Sequence, residues 1–166
     1  AEGSVDSWGA LYMKDFIQVD GFRVGIATIS FNIFMVLGRF SGDWIRDKIG
    51  VYNLLIVLLF LTIISLVILI NFNSMISSIM GFALLGIGAS SIVPISYSLA
   101  GKIEGIDSGV GITIVSVAVY GTFIGAPAIL GIVANLYGVN NVFTPTLFIF
   151  VMLIIPIMFF KKEFKL

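Results

Sequence analysis

No charged residue lies between Lys48 and Lys102, and none between Asp107 and Lys161. A helix needs roughly 20 mostly apolar residues to cross a hydrocarbon core of about 30 Å. Each tract is therefore long enough for two spans joined by a turn, and the chain reads as an all-α integral membrane protein. Composition agrees: 11% of residues are charged and mean hydropathy is +1.15, against about 25% charged in a soluble domain. Cysteine and histidine are absent. Their absence removes disulfides, thiolate nucleophiles, haem attachment and most transition-metal sites, so no metal and no cofactor is expected. The formal net charge is zero, which leaves no long-range attraction to nucleic acid. The opening "AEGSVDSWGALYMKDF" has neither a basic n-region nor an apolar h-region. It is unlike a signal peptide and reads as a chain entered partway through.

Apolar runs predict five spans, at about 21–40, 51–70, 75–100, 108–135 and 141–160. In the first, only residues 24–38 are charge-free, roughly 22 Å of helix at 1.5 Å per residue. Arg23 and Arg39 are therefore expected to snorkel from its two ends. The connections "NFNS", "GKIEGID" and "LYGVNN" are short and rich in turn formers, as expected between antiparallel neighbours. The stretch "GRFSGDWIRDKIG", residues 38–50, concentrates charge of both signs in what reads as a loop. Basic residues set orientation. If this loop is cytoplasmic, alternation gathers Arg39, Arg46, Lys48, Lys102, Lys161, Lys162 and Lys165 on its side and leaves Lys14 and Arg23 opposite. The loop and the C-terminus are accordingly expected in the cytoplasm.

The spans differ in character. The second, "VYNLLIVLLFLTIISLVILI", and the fifth are nearly uniformly apolar, suited to facing lipid. The third carries Gly86, Gly88 and Pro94, and the fourth carries Gly121, Gly125 and Pro127. Small residues let helices approach closely in a membrane, and "GTFIG" is a GxxxG. An interior proline frees a carbonyl that another helix or a wet cavity must satisfy. Either these spans are simply close-packed, or with the first they line an aqueous path that the second and fifth shield.

The stretch at residues 38–50 resembles the cytoplasmic loop motif of Major Facilitator Superfamily transporters, in the copy between spans 8 and 9. Ile45, Asp47, Lys48 and Gly50 take the Leu, Asp, Arg and Gly places of its Gly-x-Leu-x-Asp-Arg-x-Gly pattern. Asp43 stands where the first Gly is usual, and Val51-Tyr52 where a basic pair follows. "GIGASSIVPISYSLAGK" resembles the tenth span of a bacterial branch distantly similar to fucose permease, and "VYGTFIGAPAILGIVANLYG" resembles its eleventh. "EGSVDSWGALYMKD" is similar to the end of its seventh. The resemblance implies the C-terminal six-helix half of such a transporter, residues 1–166, with the seventh span entered partway at residues 1–16 and the N-terminal half absent. Such halves are inverted repeats that rock about a midplane site. In the family, spans 7, 8, 10 and 11 border the cavity while 9 and 12 sit outside.

Glu2 and Asp6, spaced i, i+4, would share one helical face. An ionisable side chain inside a membrane is a functional hypothesis by default. Desolvation and a neighbouring carboxylate both favour the protonated form of such a group, so the pair could carry a proton. Alternatively Asp6 lies near the outer surface, where Trp8 and Tyr12 form an interfacial aromatic belt. Asn32, mid-span and one turn after Thr28, needs a hydrogen bond to a helix or a solute. Tyr97 and Tyr120 pair a flat apolar face with a hydroxyl, suited either to helix packing or to a sugar-like solute. Gly38, Arg39, Gly42, Asp43, Arg46, Asp47, Lys48 and Gly50 are assigned to the cytoplasmic gate motif, too far from a midplane site to touch solute. In the superfamily the Asp of this loop resembles a latch on a helix N-terminus of the other half. Topology alone needs only the basic residues; the acids require a further role.

The expected function is secondary active transport of a small polar solute, driven by protons, in a bacterial inner membrane. The expected partners are solute, protons, lipid and the missing half. Two alternatives remain open on sequence. A half-length scaffold would pair with another membrane protein. A membrane-embedded enzyme would need a nucleophile or metal constellation, and none is clustered in the sequence.

Overall fold

The computed structural model describes residues 1–159. The end of the fifth predicted span at Phe160 and the tail basic residues Lys161, Lys162 and Lys165 lie outside it. Helix α1 (Glu2–Leu11) runs into wider π-helical turns over Tyr12–Phe16. A 3₁₀ turn at Gly21–Gly25 leads into α2 (Ile26–Asn71), followed by α3 (Met75–Ser90), α4 (Ile92–Ala100), α5 (Ser108–Tyr137) and α6 (Thr144–Phe159). No strand occurs among the described residues. Four stretches are long and apolar enough to cross a membrane: Gly21–Asn71, Met75–Ala100, Ser108–Tyr137 and Val139–Phe159.

The charged stretch read as a loop is helical. Within α2 only Gly50 departs from helical geometry, at φ 81° and ψ 161°. The charges sustain the helix instead of breaking it. Arg46 pairs with Asp43 one turn back at 3.0 Å and with Asp47 at 3.5 Å. The Lys48 ammonium lies 3.5 Å from the centre of the Trp44 ring, and the Ser41 hydroxyl donates to the Leu37 carbonyl. Such neighbours on a helix surface add a few tenths of a kcal/mol each. The chain reverses at Gly50, where a positive φ suits a residue without a Cβ.

That reversal makes α2 a helical hairpin, and α3 is held between its arms. A Cβ on Gly86 would press into the backbone of the first arm at Phe31 and Met35. One on Gly88 would press into the second arm, 2.8 Å from the Thr62 amide and 3.0 Å from the Leu58 carbonyl. Two residues apart on a helix means nearly opposite faces. Gly81 meets Leu69 of the second arm, while Gly38 and Gly42 of the first arm pack on Ser90 and Ser91. The GxxxG that brings helices together is thus Gly38–Gly42, inside the charged stretch. Around Gly121 and Gly125 a Cβ would find nothing within 4 Å, so that GxxxG packs no helix here.

The predicted third span, residues 75–100, is present as one stretch with an interruption inside it. Ser91, at φ −109° and ψ 0°, separates α3 from α4. Pro94 lacks an N–H for the Ser90 carbonyl four residues back, and its ring crowds that carbonyl. Pro127 by contrast sits inside an uninterrupted α5.

Trp8 and Tyr12 both pack against other helices. Tyr12 is fully buried, its hydroxyl donating to the Leu69 carbonyl at 2.6 Å. Its ring meets Phe16, Phe82 and Phe143 at centroid distances of 5.2, 5.7 and 5.3 Å. Leu69 lies in the last turn of α2, where carbonyls lack helical partners, so Tyr12 caps that end. Trp8 is partly buried against Gly131. The largest core cluster joins Val5, Phe31, Met35, Leu59, Leu66 and Leu85 to these aromatics. α5 is the outlier, with only Gly111 and Leu130 buried.

Replacing Gly86 by Val should cost about 3 kcal/mol or prevent folding, because backbone on the facing arm must move. Gly25→Ala, in open space at helical φ, should stay within about 0.5 kcal/mol. Thermal unfolding of detergent-solubilised protein checks both, and equal midpoints would contradict this packing.

Candidate functional site

The break at Ser91 sets up the polar centre. The Ser90 carbonyl, which Pro94 cannot serve, accepts from Arg39 Nε at 3.4 Å. Arg39 lies about 20 Å along α2 from Ile26, and roughly 15 Å of helix still follows it. From there its half-exposed side chain reaches toward α1. Its Nη2 stands 4.0 Å from Glu2 Oε2 on α1. The residue assigned to the gate motif and the carboxylate assigned to the solute site thus share one ion pair. The pair is half-exposed, at 50% and 39% for the two side chains, so most of the guanidinium's five N–H donors have no protein acceptor at hydrogen-bonding distance.

The structure does not gather the other predicted residues there. Asp6, one turn beyond Glu2, is exposed and has no ion pair among the described residues. Asn32 is exposed on α2, its amide donating to the Thr28 carbonyl of its own helix at 2.9 Å. It lies seven residues before Arg39, two turns away on the same face. Tyr97 is half-buried and Tyr120 is 68% exposed.

Two cavities flank the ion pair, and neither tyrosine lines them. The larger, about 610 Å³, is bounded by the first turn of α1, by Ala89, by Ile92 and Val93 of α4, and by α5 and α6. Its polar lining includes Glu2, Ser4, Thr122 and Thr146, with the Ser4 and Thr146 hydroxyls 3.2 Å apart. No residue of α2 lines it, whereas Pro145, Thr146, Ile149 and Phe150 of α6 do. Gly121 and Gly125 open onto this space. The smaller cavity, about 190 Å³, is lined by Arg39, Gly42, Asp43, Arg46, Ser91 and Pro94 among others. Arg39 therefore reaches from the second cavity to the carboxylate that lines the first.

Of the remaining gate residues, Asp43 and Asp47 are largely exposed and paired with Arg46 on their own helix. Sequence reasoning missed the Arg39–Ser90 contact. Its signal was Pro94, whose orphaned carbonyl needed a donor. It also missed the Ser4–Thr146 and Tyr12–Leu69 hydrogen bonds, which no local pattern announces. No cluster of acidic side chains that could hold a metal occurs among the described residues.

Bundled apolar helices, four of them long enough to span a membrane, define a polytopic α-helical membrane protein. Over residues 6–165 the sequence matches the Major Facilitator Superfamily, and the chain belongs to that family. The family is one of transporters rather than enzymes. The chain is 31% identical over 140 residues to the membrane protein MosC of Rhizobium meliloti, covering 84% of this chain and 34% of MosC. It is 30% identical over 143 residues to an uncharacterized MFS-type transporter of Yersinia pestis, covering 86% and 37%. An uncharacterized transporter of Sinorhizobium fredii is 22% identical over 134 residues, covering 81% and 36%. The chain thus spans about a third of the length of these relatives. No solved structure matches.

If Pro94 creates the acceptor for Arg39, then Pro94→Ala, which restores an N–H for Ser90, should weaken their link. Arg39→Gln should then destabilise the Pro94→Ala background less than the wild type, with a coupling of about 0.5 kcal/mol or more. A double-mutant cycle on thermal unfolding measures it, and additive effects would rule the link out.

Proposed function

We propose that this chain is the C-terminal half of a proton-coupled secondary transporter for a small polar organic solute, working by alternating access. Family membership supports transport, and the Glu2–Arg39 pair linking α1 to α2 is the observation that carries the coupling. Ionisable side chains on membrane-spanning helices are functional candidates by default. Protonating Glu2 removes its attraction for Arg39 and loosens α1 from α2. Deprotonation restores the contact. This gives each proton a structural consequence at the point where three helices meet.

The open cavity supports the reading that a longer protein surrounds this chain. Gly3 lies against Phe123 and Trp8 against Gly131, so α1 and α5 run in the same direction. A helix continuing α1 ahead of Ala1 would pass along Val117, Ala118 and Gly121, whose small side chains leave room for it. Arg39, Arg46, Lys48 and Lys102 mark the cytoplasmic side by the basic-residue rule, which sets the C-terminus there in a bacterial plasma membrane. Asp47, exposed near the end of the first arm of α2, would then be available to contact the other half.

In proteoliposomes containing the full-length transporter, Glu2→Gln should abolish uptake driven by a pH gradient while leaving solute counterflow. Unchanged pH-driven uptake would remove Glu2 from the coupling. Asp47→Asn should lower turnover about tenfold with little change in half-saturating solute concentration. Normal turnover in that variant would end the gate role.

A further inference from the structure

Among the described residues Arg39 makes two long contacts and no short one. A charge-assisted N–H···O bond is normally about 2.7–2.9 Å, yet Arg39 stands 4.0 Å from Glu2 and 3.4 Å from the Ser90 carbonyl. These contacts hold the guanidinium in place without saturating it. Its side chain is half-exposed, and the face of α2 that carries it also carries Asn32, whose amide spends one N–H on Thr28. The Asn32 carbonyl oxygen and its second N–H remain open. The guanidinium is the donor for an oxyanion bound edge-on to Arg, with the Glu2 carboxylate as the acceptor such an anion would displace. The Asn32 amide, two turns away and about 10 Å along α2, is within reach only of the far end of a longer solute.

We propose that Arg39 binds an anionic group of the solute, that Glu2 is its internal stand-in when the site is empty, and that the solute class is small organic carboxylates. The proposal rests on the transporter reading above. Charge decides carboxylate over phosphate. A monocarboxylate leaves the charge of the site unchanged when Glu2 takes up one proton as it is displaced from Arg39. A phosphate dianion needs a second cation, and the neighbouring Arg46 is already engaged by Asp43 and Asp47. The exchange is simplest if Glu2 takes a proton as the solute arrives, so that neutral carboxyl and bound carboxylate replace one ion pair with another. No covalent step is involved.

The test compares solutes that differ in one ionised group: glucuronate against glucose, lactate against glycerol, and inorganic phosphate alone. Binding to the full-length transporter in detergent is read by ligand-dependent thermal shift and by calorimetry. At least one carboxylate should bind and its neutral counterpart should not. Arg39→Gln should weaken that binding at least tenfold, with Arg39→Lys intermediate because the charge stays but the fork is lost. Glu2→Gln should tighten it several-fold, since the internal competitor is gone. A merely structural ion pair predicts the opposite sign for Glu2→Gln, and that variant decides the matter even if Arg39→Gln fails to fold. The proposal is overturned if no carboxylate binds, if neutral and acidic members bind alike, if phosphate alone binds, or if Glu2→Gln weakens binding. Carboxylate binding with these mutant effects but no uptake by proteoliposomes would instead sink the transporter reading and leave the anion site standing.

Discussion

The clasp of α3 between the two arms of α2 is the contact on which the other positions depend. Lipid tails are as apolar as leucine, so helices in a membrane gain little from burying apolar surface against each other. What holds them is close van der Waals fit, and that requires small residues where backbones meet. Gly86 and Gly88 supply it on opposite faces of one helix, against Phe31 and Met35 on one side and Leu58 and Thr62 on the other. With α3 fixed at that depth, Ser90 comes to rest beside Gly38 and Ser91 beside Gly42. Arg39 then emerges at the level of the helix break.

The second constraint is that backbone polar groups in a dry setting must find partners. Two such groups organise α1. At one end Tyr12 caps the last turn of α2 through the Leu69 carbonyl. At the other, the carbonyl freed by Pro94 draws in Arg39, which in turn faces Glu2. Helix α1 is thereby tied to α2 at both ends, by a firm hydrogen bond inside an aromatic cluster and by a looser electrostatic contact.

Hydropathy made the helices legible because it is a local sum: twenty apolar residues in a row have one outcome in lipid whatever surrounds them. One reading failed because the deciding partners were hidden in the helical period. Residues 38–50 looked like a loop because they are charged, but Asp43, Arg46 and Asp47 satisfy one another along a helix surface, and only Gly50 turns the chain. The partner of the Tyr12 hydroxyl, the Leu69 carbonyl at the end of α2, was illegible because it lies far away in the chain. The GxxxG motifs show the same thing. Gly121–Gly125 is conspicuous in an apolar span and faces open space, while Gly38–Gly42 is disguised by charge and makes the contact.

Sequence alone determined that the chain is a helical membrane protein, which segments are apolar enough to span, and which superfamily pattern they follow. It also flagged Glu2 as a carboxylate in need of an explanation and Pro94 as the source of a free carbonyl. Only the tertiary structure decided that Arg39 answers both. That outcome depends on the depth and rotation of three helices relative to one another. Those quantities are set by glycine contacts between residues widely separated in sequence, so no window along the chain contains them.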